Sequence, residues 1–181
     1  DPYDLTKISL TDSILPPAWS AEGKGEYLLG TDQQGRDILS TIMYGGRISL
    51  VVAMSAVAMS IVMGVGLGLI AGYVGGRVES LIMRIADIQL TFPAILVALL
   101  ISGIGRQFVP KDMQDALAVY VIIFSIGLTE WPKYARTVRG ATLVEKSKEY
   151  VQAARVIGVS SFKIMVSHVL PNVLGPVLVI A

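Results

Sequence analysis

One long run without charge constrains this chain more than any other feature. Between Arg47 and Arg77 the sequence holds 29 consecutive residues without a charged side chain. An α-helix needs about 20 apolar residues to cross the hydrocarbon of a bilayer, where every backbone polar group must be paired within the segment. The run therefore predicts a membrane-spanning helix at about residues 48–73.

Three further apolar runs predict the rest of a membrane domain. One lies between Asp87 and Arg106, and Pro93 is tolerable in its first turns if neighbours satisfy the freed carbonyl. The run at 116–129 is short enough to be a buried soluble helix, but its neighbours favour a span. The run at 164–181 contains two prolines and is expected to be bent. Together with the first, the predicted spans are about 48–73, 85–104, 116–134 and 164–181.

The composition agrees with a membrane protein. Hydrophobic residues make up 53% of the chain, charged residues 16%, and the mean hydropathy is +0.64, too apolar for an ordinary soluble domain. The net charge of +1 gives no field that would attract nucleic acid. The lack of cysteine excludes disulfides and thiolate metal sites. Since the chain begins with Asp1 and no basic segment, no signal peptide is visible and the natural N-terminus is expected to be absent.

Charge asymmetry predicts the orientation in the membrane. Residues 130–163 contain seven basic and three acidic residues, a net charge of +4, whereas residues 1–47 have a net charge of −3. Cytoplasmic loops of membrane proteins carry the excess of Lys and Arg. We therefore expect residues 130–163 in the cytoplasm and residues 1–47 outside. Counting the spans back from 130–163 gives the same orientation.

Small residues recur at every fourth position of the first run and so share one helical face. The series is Ala56, Ser60, Gly64, Gly68, Gly72 and Gly76. Such a face lets a second helix approach closely in lipid, where apolar burial drives little association. The four glycines are therefore predicted helix-packing residues. A phosphate-binding loop is disfavoured, because no Lys-Ser/Thr pair follows and the run is too hydrophobic.

A short amphipathic helix that ends at a glycine follows the third run. One face is predicted to be small and apolar, with Tyr150, Ala153, Ala154 and Ile157. The other is polar, with Lys148, Gln152 and Arg155. Gly158 suits a left-handed C-cap, and Ser160 or Ser161 can cap the next helix. Small alanines permit close approach of another protein, so this is a predicted docking element; a simple basic topology signal is the alternative.

No motif indicates covalent or metal chemistry. His168 is the single histidine and has no Cys, Asp or Glu at ligand spacing, which favours a structural role. Arg84 and Asp87 lie one helical turn apart and predict a local ion pair. No serine has a nearby histidine or aspartate to activate it. We therefore predict no catalytic residue and no metal ligand.

The docking element resembles the EAA loop of ATP-binding-cassette (ABC) importer permeases. Matching positions hold Ala153, Ala154, Gly158, Leu170 and Pro171, while Gln152 stands where the family has Glu. Further blocks are similar to the C-type permease subunit of the dipeptide/oligopeptide/nickel branch. In chain order these blocks are Leu29–Leu39, Tyr44–Ser49, Gly72–Gly76, Met83–Pro93 and Trp131–Arg136. The resemblance covers nearly the whole chain.

The resemblance implies an all-α integral membrane protein with the permease bundle of a type I ABC importer. Residues 1–47 would be an extracytoplasmic segment, residues 48–181 the transmembrane domain, and about 135–163 its cytoplasmic coupling loop. One further span would precede Asp1 and one would follow the last run. The implied ATPase-coupling residues are Tyr150, Gln152, Ala153, Ala154, Arg155, Ile157, Gly158, Leu170 and Pro171.

The same resemblance implies a set of partners in a bacterial or archaeal inner membrane. They are a homologous permease subunit, two ATP-binding-cassette ATPase subunits and an extracytoplasmic solute-binding protein. The chain itself would bind no cofactor, since its partners use the ATP. Short peptides are the expected cargo, with nickel, glutathione and opines open as alternatives. A secondary transporter or channel would have charged or polar side chains inside its spans, or a pair of broken helices at mid-membrane, and the uncharged runs indicate neither.

Overall fold

The computed structural model describes residues 8–108 and 114–180, which form helices joined by loops. Within those ranges there is no strand, only an isolated β-bridge between Thr31 and Asp37. The chain divides into two compact units, Asp1–Val51 and Val52–Ala181. The described architecture is all-α, as the sequence predicts.

Before Ile38, the described part of the first unit consists of turns, apart from a 3-10 turn at Leu10–Asp12. The Asp32 carboxylate accepts hydrogen bonds from the backbone N–H of Gln34 (2.8 Å) and of Arg36 (2.9 Å). Gly35, between them, has a φ of +74° that glycine adopts without steric cost. The Asp32 side chain thus closes a tight loop.

The first long helix, α1, comprises Ile38–Val74 and is 37 residues long, about 55 Å at 1.5 Å per residue. It begins well before the predicted start at residue 48, because the Asp37 carboxylate accepts the Ser40 N–H (2.8 Å) as an N-cap. The length of a charge-free run therefore predicts a membrane span but does not predict where the helix begins. α1 ends at Val74, and the two glycines that follow, Gly75 and Gly76, have φ values of +73° and +56°.

The second predicted span, 85–104, is two helices in the structure. α2 comprises Gly76–Thr91 and α3 comprises Ala94–Phe108, with a bend of 89° between them. Phe92 is extended at the break (φ −91°, ψ 121°), since a residue before proline disfavours the helical region and Pro93 has no N–H to donate. The kink expected at Pro93 is therefore a full break between two helices, and the span at 85–104 stays a prediction.

The central helix, α4, comprises Gln114–Glu145, and it packs against α2, α3 and the C-terminal helix. Helical structure continues well beyond residue 134, the predicted end of the third span. The predicted coupling loop at 135–163 thus begins as the last turns of α4. Pro132 lies inside the helix and is buried.

The remaining helices are α5, Glu149–Val156, and α6, Ser161–Ile180. α6 contains a π-helical segment, Ile164–Val169, before its last part, Leu170–Ile180. Among the described residues, α1 and α6 are long and apolar enough to cross a membrane, and the bent pair α2–α3 would count as a third crossing. The span at 116–134 stays a prediction.

Three glycines of α1 lie directly against the backbone of α4. A Cβ added at Gly64 would lie 2.5 Å from the Tyr134 Cβ, and one at Gly68 would lie 2.5 Å from the Ala135 carbonyl oxygen. At Gly72 the nearest atom would be a Thr142 carbon at 2.7 Å. These distances are shorter than real Cβ contacts, so no larger residue fits at the three positions without a shift.

Gly76 does not belong to this contact. Nothing lies within 4 Å of a Cβ added there, and its φ is +56°. The four-residue period continues in the sequence, but α1 has already ended at Val74. Gly76 therefore serves the turn into α2, and its assignment as a helix-packing residue is wrong.

Ion pairs connect α2 to α4. The helical spacing predicted an ion pair between Asp87 and Arg84. In the structure Asp87 pairs with Arg136 of α4 instead. Arg84 forms no ion pair among the described residues. Nearby, the Arg139 Nε donates to the Glu79 carboxylate over 2.6 Å. The contacts are long-range, so one-turn spacing on a single helix could not identify them.

Candidate functional site

The turn after α5 is a Schellman motif. The Val159 N–H donates to the Ala154 carbonyl (3.0 Å), and the Gly158 N–H donates to the Arg155 carbonyl (3.1 Å). These two bonds define the motif, and they require a left-handed backbone conformation at the residue that follows the C-cap. Gly158 has a φ of +84°, which confirms the predicted left-handed cap. Since nothing lies within 4 Å of a Cβ added there, backbone conformation and not space selects glycine.

α5 buries one face in the protein and exposes another. Val151 and Ala154 are buried in a core that α1, α4 and α6 also form. Ala153, Val156 and Ile157 are exposed, with 87% of Val156 and 78% of Ile157 accessible. Their spacing of three and four residues puts them on one helical face. We call these three residues the docking face.

This arrangement corrects the predicted face in one place. Ala154 was expected beside Ala153 on the surface that meets a partner, but it lies 5% exposed against the protein's own core. Arg155 is exposed, as expected of the polar face, and its guanidinium also lies over the Tyr73 ring, 5.0 Å from the centroid. A cation over an aromatic face is attracted by the ring quadrupole. α5 is therefore in contact with the C-terminal end of α1.

The end of α4 is linked to α5 through one buried carboxylate. Glu145 is 6% exposed, pairs with the Lys148 Nζ at 2.7 Å and accepts a hydrogen bond from the Tyr150 hydroxyl. The Lys148 ammonium and then the Tyr150 hydroxyl hold the pKa of Glu145 below its usual value. Burial and the adjacent carboxylate raise the pKa of Tyr150. At neutral pH Glu145 therefore stays ionised and Tyr150 stays protonated, which are the forms that make this hydrogen bond.

Tyr150 also contacts α6. The Asn172 side-chain amide donates to the Tyr150 hydroxyl oxygen over 3.0 Å and to the His168 carbonyl over 2.8 Å. The prediction put Tyr150 in the stripe that meets a partner. The structure gives its hydroxyl three internal neighbours instead, on α4 and α6.

The other two predicted coupling residues lie in α6, directly after its π-helical segment. Leu170 is partly buried against the same core as Val151, and Pro171 is exposed. Neither belongs to the docking face. The Leu170 N–H donates to the Met165 carbonyl, five residues back, as in a π-helix. We attribute this wider turn to Pro171, which has no N–H and would crowd the carbonyl of an ordinary helical turn.

Two polar side chains shape the turns on either side of α5. The Gln152 amide donates to the Ser147 carbonyl over 3.1 Å and so closes the turn from α4. A glutamate at this position has no proton to donate once ionised. After α5, the Ser160 hydroxyl accepts the Lys163 N–H over 3.4 Å, which identifies Ser160 as the cap of α6.

Comparison with known proteins identifies the family. Residues 64–181 match the family model of the binding-protein-dependent transport system inner membrane component. The chain belongs to this family. The matched range contains α5, its left-handed turn and the three glycines that contact α4.

Curated relatives match over almost all of this chain. The dipeptide transport system permease protein DppC of Haemophilus influenzae is 39% identical over 98% of this chain and 57% of its own length. The di/tripeptide permease DppC of Pseudomonas aeruginosa is 37% identical over 98% and 55%. The glutathione permease GsiD of Pectobacterium atrosepticum is 40% identical over 98% and 54%. The chain thus spans about half the length of these relatives.

Several site residues were absent from the sequence-based prediction. Val156 could have been found, because it lies three residues after Ala153 on the helical period. Glu145 and Asn172 carried no local signal, since each bonds to a residue on another element. Val151 was missed because the apolar residues of α5 cover a wide arc of the helix, and the sequence does not indicate which of them face the protein's own core.

Proposed function

We propose that this chain is a transmembrane permease subunit of an ATP-driven peptide importer and that α5 receives an ATPase subunit. The observation that carries the proposal is the docking face. Three apolar side chains are presented to solvent on a short helix whose opposite face is fixed in the core. Exposed apolar groups with helical spacing suit a groove on a partner protein. Family membership supports the same reading.

In this mechanism the chain performs no covalent chemistry. ATP-driven closure of two ATPase subunits draws together the α5 helices of this chain and of a homologous permease subunit. The spans tilt in response, and the pathway opens alternately to the two sides of the membrane. An extracytoplasmic solute-binding protein delivers the cargo. The chain is then a multi-pass protein of a bacterial or archaeal inner membrane.

The proposed cargo is a di- or oligopeptide. Relatives named as dipeptide and di/tripeptide permeases support this choice, while the relative named as a glutathione permease keeps a modified tripeptide as a second candidate. Nickel and opines are the remaining alternatives. The test is uptake of a labelled dipeptide by cells that express the whole system, in competition with glutathione and with nickel. Competition by nickel alone would contradict the peptide assignment.

Docking is tested by co-purification of the ATPase with the intact complex in mild detergent. Val156→Asp and Ile157→Asp put a charge on the docking face and should abolish co-purification, since a carboxylate is costly to bury in an apolar contact. Val144→Asp is the matched control, because Val144 is 64% exposed on α4 and outside α5. Retention of the ATPase by both α5 variants would contradict the proposal. A secondary transporter or channel would retain no ATPase even as wild type.

Orientation is tested with single cysteines, because the chain has none of its own. Ser147 and Ser20 are both exposed. A thiol at Ser147 should resist a membrane-impermeant maleimide in intact cells and react once the membrane is opened. A thiol at Ser20 should react in intact cells. Labelling at 147 from outside would overturn the assignment of α5 to the ATPase side.

A further inference from the structure

We propose that the Tyr150 hydroxyl is the joint that passes the movement of α5 to α6, with Tyr150 and Asn172 as positioning residues. The inference rests on the proposed function, because it requires a partner that moves α5. It adds a specific route by which that movement reaches an apolar helix long enough to cross the membrane. Neither side chain needs to touch the partner or the cargo.

The joint connects three elements at one oxygen atom. The Tyr150 hydroxyl donates to Glu145 at the end of α4 and accepts from the Asn172 amide of α6 over 3.0 Å. The second hydrogen of that amide is available to the His168 carbonyl at 2.8 Å. Each polar group thereby has a partner. Displacing α5 along its axis would have to break these bonds or move α6 with it.

Apolar packing alone would transmit such a displacement less well. Val151 and Ala154 contact the same core as Ile164 and Val169 of α6, so the two helices already touch. Hydrophobic contact is non-directional and lets one surface slide over another. Hydrogen bonds fix both distance and angle, and a bond to an ionised carboxylate such as Glu145 is stronger than a neutral one. The polar joint therefore fixes the position of α5 along α6, which apolar packing alone does not fix.

The joint meets α6 where its backbone departs from the α-helix. His168 lies in the π-helical segment Ile164–Val169, and Asn172 follows Pro171. Backbone groups here are already rearranged by the proline, so a change in the bend costs fewer intact helical hydrogen bonds than it would elsewhere. A pull on Asn172 would therefore change the direction of the part of α6 that follows the π-helical segment.

The test uses the full-length complex reconstituted in vesicles with its ATPases and solute-binding protein. Three quantities are measured: retention of the ATPase, the rate of ATP hydrolysis, and the amount of labelled dipeptide accumulated per ATP. Tyr150→Phe removes the hydroxyl and keeps the ring, while Asn172→Leu removes the amide. Tyr120→Phe is the matched control, since Tyr120 is 60% exposed on α4 and its hydroxyl has no partner among the described residues.

We expect both variants to retain the ATPase and to accumulate about tenfold less dipeptide per ATP. A change of this size corresponds to the loss of about one hydrogen bond. The double variant should lose less than the product of the two single losses, because both changes remove the bond that Tyr150 and Asn172 share. Asn172→Gln, which keeps an amide donor, should recover part of the ratio. Tyr120→Phe should behave as wild type.

Other results would overturn the joint. Wild-type transport per ATP in both variants contradicts it, as does a double variant whose two losses multiply. A fall in ATP hydrolysis and uptake by the same factor indicates a merely structural role and also contradicts it. Failure of the wild-type chain to retain an ATPase is a different result, which would refute the proposed function itself.

Discussion

The α1–α4 contact and the α5–α6 contact hold helices together by different means. Between α1 and α4, three glycines let backbones meet, with atoms of α4 at Cβ distances of 2.5–2.7 Å. Between α5 and α6, apolar side chains pack and one tyrosine joins them by hydrogen bonds. The first contact depends mainly on shape. The second combines hydrophobic burial with directional polar groups.

The difference follows from the expected surroundings of the two contacts. Lipid tails are as apolar as the helix surfaces, so burial gives little drive in the bilayer, and close backbone approach takes its place. The loop that contains α5 is expected in water, where burial of Val151 is favourable and exposed polar groups cost little. The α1–α4 contact should therefore tolerate added volume badly. The α5–α6 contact should respond to changes in charge and backbone conformation.

The largest effect is expected from adding volume to the glycine face. Gly64→Leu, Gly68→Leu and Gly72→Leu together should separate α1 from α4 and prevent purification of a folded complex. Even a single Gly→Ala change there adds a Cβ where no space exists and should cost about 1–3 kcal/mol. The measurement is the thermal midpoint of the purified complex in mild detergent.

Gly66→Leu is the control for that experiment. Nothing lies within 4 Å of a Cβ added at Gly66, so the change should leave the midpoint nearly unchanged. Val65 and Leu69 look like off-face controls in the sequence but are buried in the core, 9% and 7% exposed. Equal sensitivity at Gly66 and Gly64 would show that the face is not a close contact.

The sequence predicted the glycine contact well because its signal is local and periodic. A four-residue repeat on a charge-free run defines a face without reference to any other element. The same rule failed at Gly76, because the period cannot indicate where the helix ends. The left-handed turn at Gly158 was likewise predictable from one residue and its neighbours.

The polar joint could not be predicted from the sequence. Glu145 and Asn172 meet only through Tyr150, and each is on a different element. The inward side of α5 was also undetermined, since Ala153 and Ala154 are chemically identical. Only the packing of Val151 and Ala154 against Val173 and its neighbours distinguishes them.

A smaller effect is expected at the turn after α5. Gly158→Ala should cost about 1 kcal/mol, because a residue with a Cβ is strained at a φ of +84°. Gly158→Pro fixes φ near −65° and should redirect the turn entirely. Both should reduce dipeptide accumulation per ATP and leave the protein inserted in the membrane.

Two variants distinguish backbone strain at position 158 from the general loss of backbone flexibility that follows when a glycine is replaced. Gly158→Asn should be milder than Gly158→Ala, since Asn tolerates the left-handed region. Gly175→Ala, in α6 with open space around it and no positive φ, should be neutral or slightly stabilising. Normal uptake by Gly158→Pro at wild-type expression would refute a role for this turn in coupling.

A further prediction concerns acid sensitivity of the α5–α6 contact. The pKa of Glu145 is lowered in the folded protein, so its ionised form contributes stability above the unfolded value of about 4.3. That contribution is lost as pH falls through the lower folded value. Protease accessibility of the turn after α5 should therefore rise in acid. Glu145→Gln should remove most of this pH dependence, and an unchanged acid response would contradict the assignment.

The smallest expected effect concerns one buried polar bond in the largely apolar α1–α4 contact. The Ser60 hydroxyl is buried and lies 2.9 Å from the Ala56 carbonyl of its own helix and 3.1 Å from the Gly127 carbonyl of α4. Hydrogen bonds between membrane helices contribute about 0.6 kcal/mol on average, so Ser60→Ala should lower the thermal midpoint only slightly. Ser125→Ala is the control, because the Ser125 hydroxyl bonds only to the Val121 carbonyl within α4. A loss at Ser60 as large as that at Gly64 would mean that polar bonding, and not shape, holds α1 to α4.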